Sequence, residues 1–433
     1  MKRIFVLFCG FFSVCFLGAQ SNPVGCGYDH YVQAMEAAHP GFREAMDQAW
    51  PRLHTGQATP RDLEVYTIPV VVHVVWQEES QNLSDSLVQD VIKGLNEDYR
   101  RLNADASNVR DVFASRVGDP FIEFELVGVE RVFTEATFEL DLFGGALPDN
   151  VKQTSEGGSD AWPTDQYLNI WVCNLEGGSL LGYAYPPADR AHWPADAAAP
   201  SPELDGVVIH TPAFRRTGEY TASGLLGGGD MTVPIRGRTV THEVGHYLGL
   251  RHIWGDGLLS IFGLPDCDAD DGVADTPNQG TNSQFACDED QNTCEEAEGE
   301  DLPDMFENYM DYASEDCMNS FTQGQIAIMR GVLEQQRSGL IGGTVATDSP
   351  RVNTGELRVF PNPAHELVTL ELPAGGGEGQ LLIWNAQGQL LWQKKMATGA
   401  ARETIFLGQW GKGTYTLQWL EHTGVYTTRV LVQ

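Results

Sequence analysis

Apolar residues follow several distinct rhythms along this 433-residue chain. Lys2 and Arg3 precede an apolar run from Ile4 to Leu17, and Leu17-Gly18-Ala19 ends it with small residues. That order is the pattern of an export signal, so residues 1–19 are expected to be removed after Ala19. From 20 to 61, apolar positions such as Tyr31, Met35, Phe42 and Met46 recur at helical spacing. They lead into the polar Thr59-Pro60-Arg61, a stretch suited to proteolytic nicking, and 20–61 reads as a propeptide. The run Ile68-Pro69-Val70-Val71-Val72-His73-Val74-Val75-Trp76 predicts a buried strand. Ser84 to Asn103 predicts an amphipathic helix capped by Ser84 or Asp85. Phe121–Val129, Tyr167–Cys173 and Gly206–His210 follow as strands, before a helix that begins near Thr239. Strands mixed with two long helices predict an α/β (α+β) domain over 62–340.

A Gly, Thr, Ser and Pro composition marks 341–355 as a linker. Beyond it the rhythm changes to short strand-like runs: Leu357–Phe360, Leu367–Leu372, Gln380–Trp384, Leu390–Lys394, Thr404–Leu407, Thr414–Leu420 and Val425–Val432. Such spacing describes a small β-sandwich over 356–433. Trp384, Trp392 and Trp419 could serve a carbohydrate platform, but strand periodicity puts them in the core and along the strands. No segment after the export signal approaches the ~20 apolar residues of a membrane span.

Sixty acidic against 27 basic residues give a formal charge of −33, which repels nucleic acid and anionic membranes. Six cysteines remain once Cys9 and Cys15 leave with the signal, and export permits them to form disulfides. Cys267, Cys287, Cys294 and Cys317 crowd one loop-rich stretch. Within it, Asp266-Cys267-Asp268-Ala269-Asp270-Asp271 concentrates carboxylates as a hard cation with oxygen ligands would require, calcium above all.

The most specific chemistry lies in His242-Glu243-Val244-Gly245-His246-Tyr247-Leu248-Gly249-Leu250-Arg251-His252. Histidines four apart on a helix share one face and can reach one zinc ion. Gly249 would let the chain turn so that His252 returns as a third ligand, leaving a fourth position open. Glu243 lies beside the metal, placed to take a proton from the attacking water. The pattern is the metzincin signature of metallopeptidases. Asn308-Tyr309-Met310-Asp311-Tyr312 looks like its Met-turn: Met310 would floor the imidazoles, and Tyr312 could donate to a developing oxyanion.

Residues 62–340 resemble the pappalysin family of metzincins. The likeness rests on Ile68–Val75, Leu168–Asn174, Gly237-Arg238-Thr239, His252–Asp256, Asp271–Pro277 and Asp316–Thr322. It implies a metzincin-type domain with a twisted mixed sheet and an active-site helix, acting as a secreted endopeptidase made as a zymogen. It also implies zinc, calcium near Asp271, Ala274, Asp275 and Thr276, and the disulfides Cys267–Cys294 and Cys287–Cys317. Asp316 would lie at the base of the S1′ pocket and favour arginine or lysine after the scissile bond. Cys26 and Cys173 are then left: they could pair, Cys173 could be inert, or the Cys26 thiolate could fill the open zinc position as a cysteine switch. The C-terminal sandwich resembles a type IX secretion sorting domain through Val359–Pro363, Gly388–Leu391, Gly413–Leu417 and Thr428–Val432. That implies the type IX machinery as a partner and delivery to the outside or the cell surface. The rival function is an inactive surface adhesion protein on the same scaffold, yet no ligand, base or Met-turn residue is missing.

Overall fold

The computed structural model describes residues 25–46, 64–141, 146–176, 180–187, 199, 201–222, 231–255, 264–295, 301–342, 357–365, 367–371, 379–385, 390–396, 402–421 and 424–432. The expected export signal at 1–19, residues 20–24 and 47–61 of the expected propeptide and most of the expected linker at 341–355 lie outside the described residues. Two compact units emerge, Met1–Gly343 and Thr344–Gln433.

The first unit is built on strand β1 (Tyr66–Trp76), which pairs in parallel with β2 (Ile122–Phe133) and β3 (Leu168–Cys173). The five-stranded sheet ends in β4 (Gly182–Ala184), an edge strand antiparallel to its neighbour β5 (Val207–His210). A continuous apolar run suits β1 because both its faces are covered. Val70, Val72 and Val74 share a core with Val88, Val91, Ile92 and Leu95 of helix α2 (Asp85–Tyr99). The Ser84 side chain caps α2 by accepting the Leu87 N–H. This helix stops at Tyr99 rather than Asn103, because Arg101 at φ 46° turns the backbone out of it. His73 on β1 is a satisfied core histidine, its ring nitrogens bonded to Ser159 and Asn169.

On the sheet's other face, Val75, Trp171, Tyr183, Tyr185 and Val208 meet the N-terminal segment. Helix α1 (Tyr28–Ala38) and the residues after it contribute Tyr28, Tyr31, Val32, Phe42 and Met46 to this second core. Just before α1, the segment runs parallel to β4: Gly27 N–H donates to Gly182 O at 2.9 Å and Leu181 N–H to Gly25 O at 2.9 Å. The segment thereby covers an otherwise open sheet edge. Sequence pattern did not predict β4, because three residues including a glycine carry no readable period.

The second unit has all seven expected strands, in sheets of three and four. Val368, Leu370, Leu381, Ile383, Leu417, Trp419, Val430 and Val432 alternate inward to one core, as in a sandwich. Trp419 is buried and Trp392 packs against that core.

Candidate active site

Helix α3 (Arg238–Tyr247) carries the first two histidines and is buried along its whole length. Its N-cap, Gly237, has no side chain to satisfy the first N–H groups. Glu315 does so from far along the chain, accepting from the backbone of Arg236, Arg238 and Thr239 and from the Thr239 hydroxyl. A carboxylate there also complements the positive end of the helix dipole. The Arg238 guanidinium is tied to Asp98 and Asp105. At the other end, Gly249 at φ +92° and the Leu250 N–H to Gly245 O bond reverse the chain toward His252.

The three imidazoles converge. His246 Nε2 lies 3.1 Å from His242 Nε2 and 3.1 Å from His252 Nε2. His242 Nδ1 faces Tyr309 O at 2.7 Å and His246 Nδ1 faces Leu250 O at 2.8 Å. A carbonyl only accepts, so these Nδ1 atoms carry the protons and the Nε2 lone pairs point at one another. Burial keeps both rings neutral, His242 being pulled down to about 3. Lone pairs so close repel unless a cation sits between them, and this donor set suits zinc.

Three residues of the N-terminal segment reach the same place. Cys26 Sγ and the histidine nitrogens all lie within 4.8 Å of one another. Tyr28 stacks flat on His246, centroids 4.3 Å apart, and Asp29 Oδ1 meets His252 Nδ1 at 3.1 Å. Trp254 stacks on His252 at 4.3 Å. Burial, then the Glu243 charge, push the Cys26 thiol well above its ordinary range; the thiol donates to Glu243 Oε2 at 3.3 Å. Glu243 is fully buried and its Oε1 has no hydrogen-bond partner among the described residues. Burial holds its carboxyl well above the usual range. Gly182 of β4 lies directly over it: a Cβ there would fall 2.8 Å from Glu243 Cγ. Met310 lies under the helix, its sulfur 2.4 Å from where a Gly245 Cβ would sit. The Tyr312 hydroxyl accepts the Cys26 N–H at 3.2 Å.

A pocket beside His242 and Glu243 is lined by Leu181, Val233, Pro234, Phe285, Glu315 and Met318, among others. Asp316, expected at the base of this pocket, is not among its lining residues. Its half-exposed carboxylate pairs with Arg236 at 2.7 Å, while its neighbour Glu315 turns inward to cap α3. Cys267–Cys294 and Cys287–Cys317 are both bonded, while Cys26 and Cys173 are free and buried, so they do not pair with each other. Burial pushes the Cys173 thiol up, which makes it inert.

Residues 224–334 match the peptidase family described as pregnancy-associated plasma protein-A, and 358–433 match the secretion system C-terminal sorting domain. An extracellular metalloprotease of Arthroderma benhamiae is 30% identical over 286 residues, covering 66% of this chain and 82% of the relative. The chain belongs to the pappalysin family. A promirolysin variant from Tannerella forsythia superposes on this pappalysin with a TM-score of 0.59 at 35% identity, covering 73% of this chain and 97% of that one. Mature mirolysin of the same organism, in complex with a cleaved peptide, gives 0.53 at 39% identity, with 64% and 96% covered. The pappalysin is therefore a zinc metallopeptidase, and its sorting domain marks it for secretion or the cell surface. No described helix is long and apolar enough to cross a membrane. Reading the motif found the histidines, Glu243, Met310 and Tyr312 of this pappalysin. It missed Asp29, Gly182 and Glu315, which join the site only through folding and carry no motif of their own.

Proposed function

We propose that the protein is an endopeptidase held latent by its own N-terminal segment, with His242, His246 and His252 as zinc ligands and Cys26 filling the fourth position. The supporting observation is the convergence of three Nε2 atoms and one sulfur in a buried site. The division into signal (1–19), propeptide (20–61), peptidase (62–340), linker (341–355) and sorting domain (356–433) belongs to this reading. Bound zinc would polarise the scissile carbonyl and acidify a water. Once the segment leaves, the backbone of β4 is free to pair with an extended peptide. Glu243, released from the Cys26 thiol, takes the proton of the attacking water and delivers it to the departing amine. Tyr312, released from the Cys26 N–H, donates to the developing oxyanion.

The pocket beside Glu243 would take the side chain that follows the scissile bond. We assign it a preference for arginine or lysine, drawn by Asp316 in exchange for its pairing with Arg236. Calcium is proposed at the acidic loop. Asp271 Oδ2 and Asp275 Oδ1 are buried without hydrogen-bond partners among the described residues, which suits them to ligate a cation. Asp275 Oδ2 accepts the Gly324 N–H and Asp271 Oδ1 the Val273 N–H, so each acid has one oxygen left to face an ion. The Ala274 carbonyl and Thr276 would add further oxygen ligands.

Glu243→Gln tests the mechanism. Zinc content should stay at that of the parent while peptide hydrolysis falls by about 10²–10⁴-fold. A variant that cleaves casein at the parent's rate would remove Glu243 from the reaction.

A further inference from the structure

We infer that Asp29 is a positioning residue for the third zinc ligand, so that the N-terminal segment strengthens zinc binding and its removal loosens the metal. The inference rests on the three-histidine reading above. His242 and His246 are oriented by carbonyls of the peptidase itself, Tyr309 O and Leu250 O. His252 is different: its Nδ1 meets the Asp29 carboxylate, 223 residues earlier in the chain. The contact is sheltered, with the His252 side chain fully buried and that of Asp29 20% exposed.

A carboxylate behind a ligating imidazole fixes the ring and its tautomer and makes Nε2 a better donor. Asp29 sits in the first turn of α1, three residues after Cys26. One short stretch thus presents a thiol to the open face of the histidine cluster and a carboxylate to the back of His252. Two negative charges, thiolate and carboxylate, would offset a divalent cation held by three neutral rings in a buried site. When the segment departs, His242 and His246 keep their acceptors. His252 keeps Trp254 against its face but loses its carboxylate. Latency and metal retention are then two effects of the same turn.

The test measures zinc affinity by competition with a chromophoric chelator, using the full chain carrying Glu243→Gln to prevent self-processing. In that background Asp29→Ala should bind zinc roughly 10–100-fold more weakly. Asp29→Asn keeps an acceptor without the charge and should fall between. Tyr31→Ala loosens the same helix at its packing against Phe42 and Tyr185 and touches the cluster only through Tyr28, so it should cost clearly less affinity than Asp29→Ala. If the parent itself binds no zinc, the three-histidine reading fails. If the parent binds zinc and Asp29→Ala matches it, or Tyr31→Ala loses as much as Asp29→Ala, the role of Asp29 is overturned.

Discussion

Gly182 shows how a single side-chain position governs the chemistry. An added methyl group would sit 2.8 Å from Glu243 Cγ, 2.9 Å from Val208 O and 3.0 Å from Glu243 Oε1. The backbone of β5 is held by its sheet partners, so the glutamate is the group that yields. Gly182→Ala is expected to lower kcat by about 10²-fold through a displacement near 1 Å, with a smaller change in KM. Wild-type kcat in this variant would show that Glu243 tolerates the shift. Glu315 and Asp316 are neighbours with different duties: four donors hold the first, and the second is half-exposed against Arg236. On a peptide library, Asp316→Asn should reduce cleavage before arginine and lysine by about 10-fold, as loss of a charge-assisted bond would. Cleavage before apolar residues should persist. An unchanged profile would overturn the assignment to Asp316.

At the scale of elements, the disulfide-bearing loop between α3 and the long helix α4 (Gln323–Gln335) has little regular structure among its described residues. Two crosslinks hold it, yet buried oxygens of Asp271 and Asp275 have no hydrogen-bond partner among the described residues. Burial also drives the Asp271 carboxyl well above its usual range, a cost that a bound cation removes. Calcium at about 100 times its dissociation constant should stabilise the fold by about 2.7 kcal/mol. A calcium-selective chelator should therefore lower the melting temperature by several degrees while zinc remains bound. Identical melting with and without calcium would argue against the site.

At the scale of the whole molecule, the central sheet carries two buried imidazoles that are not part of the three-histidine cluster. Burial pulls both His73 and His210 down to about 4. Their folded pKa values lie below the ordinary 6.5, so between these limits the unfolded chain binds more protons than the folded one. The contribution of these two histidines should thus be complete above about pH 6.5 and fall as the pH drops toward 4, by up to about 1.4 kcal/mol per pH unit for each histidine. Denaturant titrations across that window, with His73→Gln as comparison, check this; a parent and variant with the same acid slope would exclude His73.

Local order alone determined much of this protein. Apolar period marks β1, α2 and the seven strands of the sorting domain, because a strand or helix must present its apolar residues at a fixed spacing to be buried. The zinc motif is legible for the same reason: residues four apart on one helix and a glycine turn need no distant partner to be aligned. Only the tertiary structure decided what lies across the site. It placed Gly182 over Glu243, brought Glu315 to the start of α3, sent Asp316 outward to Arg236 and set Asp29 behind His252. Each is a contact between residues 60 or more positions apart, fixed by sheet pairing and core packing, and no spacing along the chain records it.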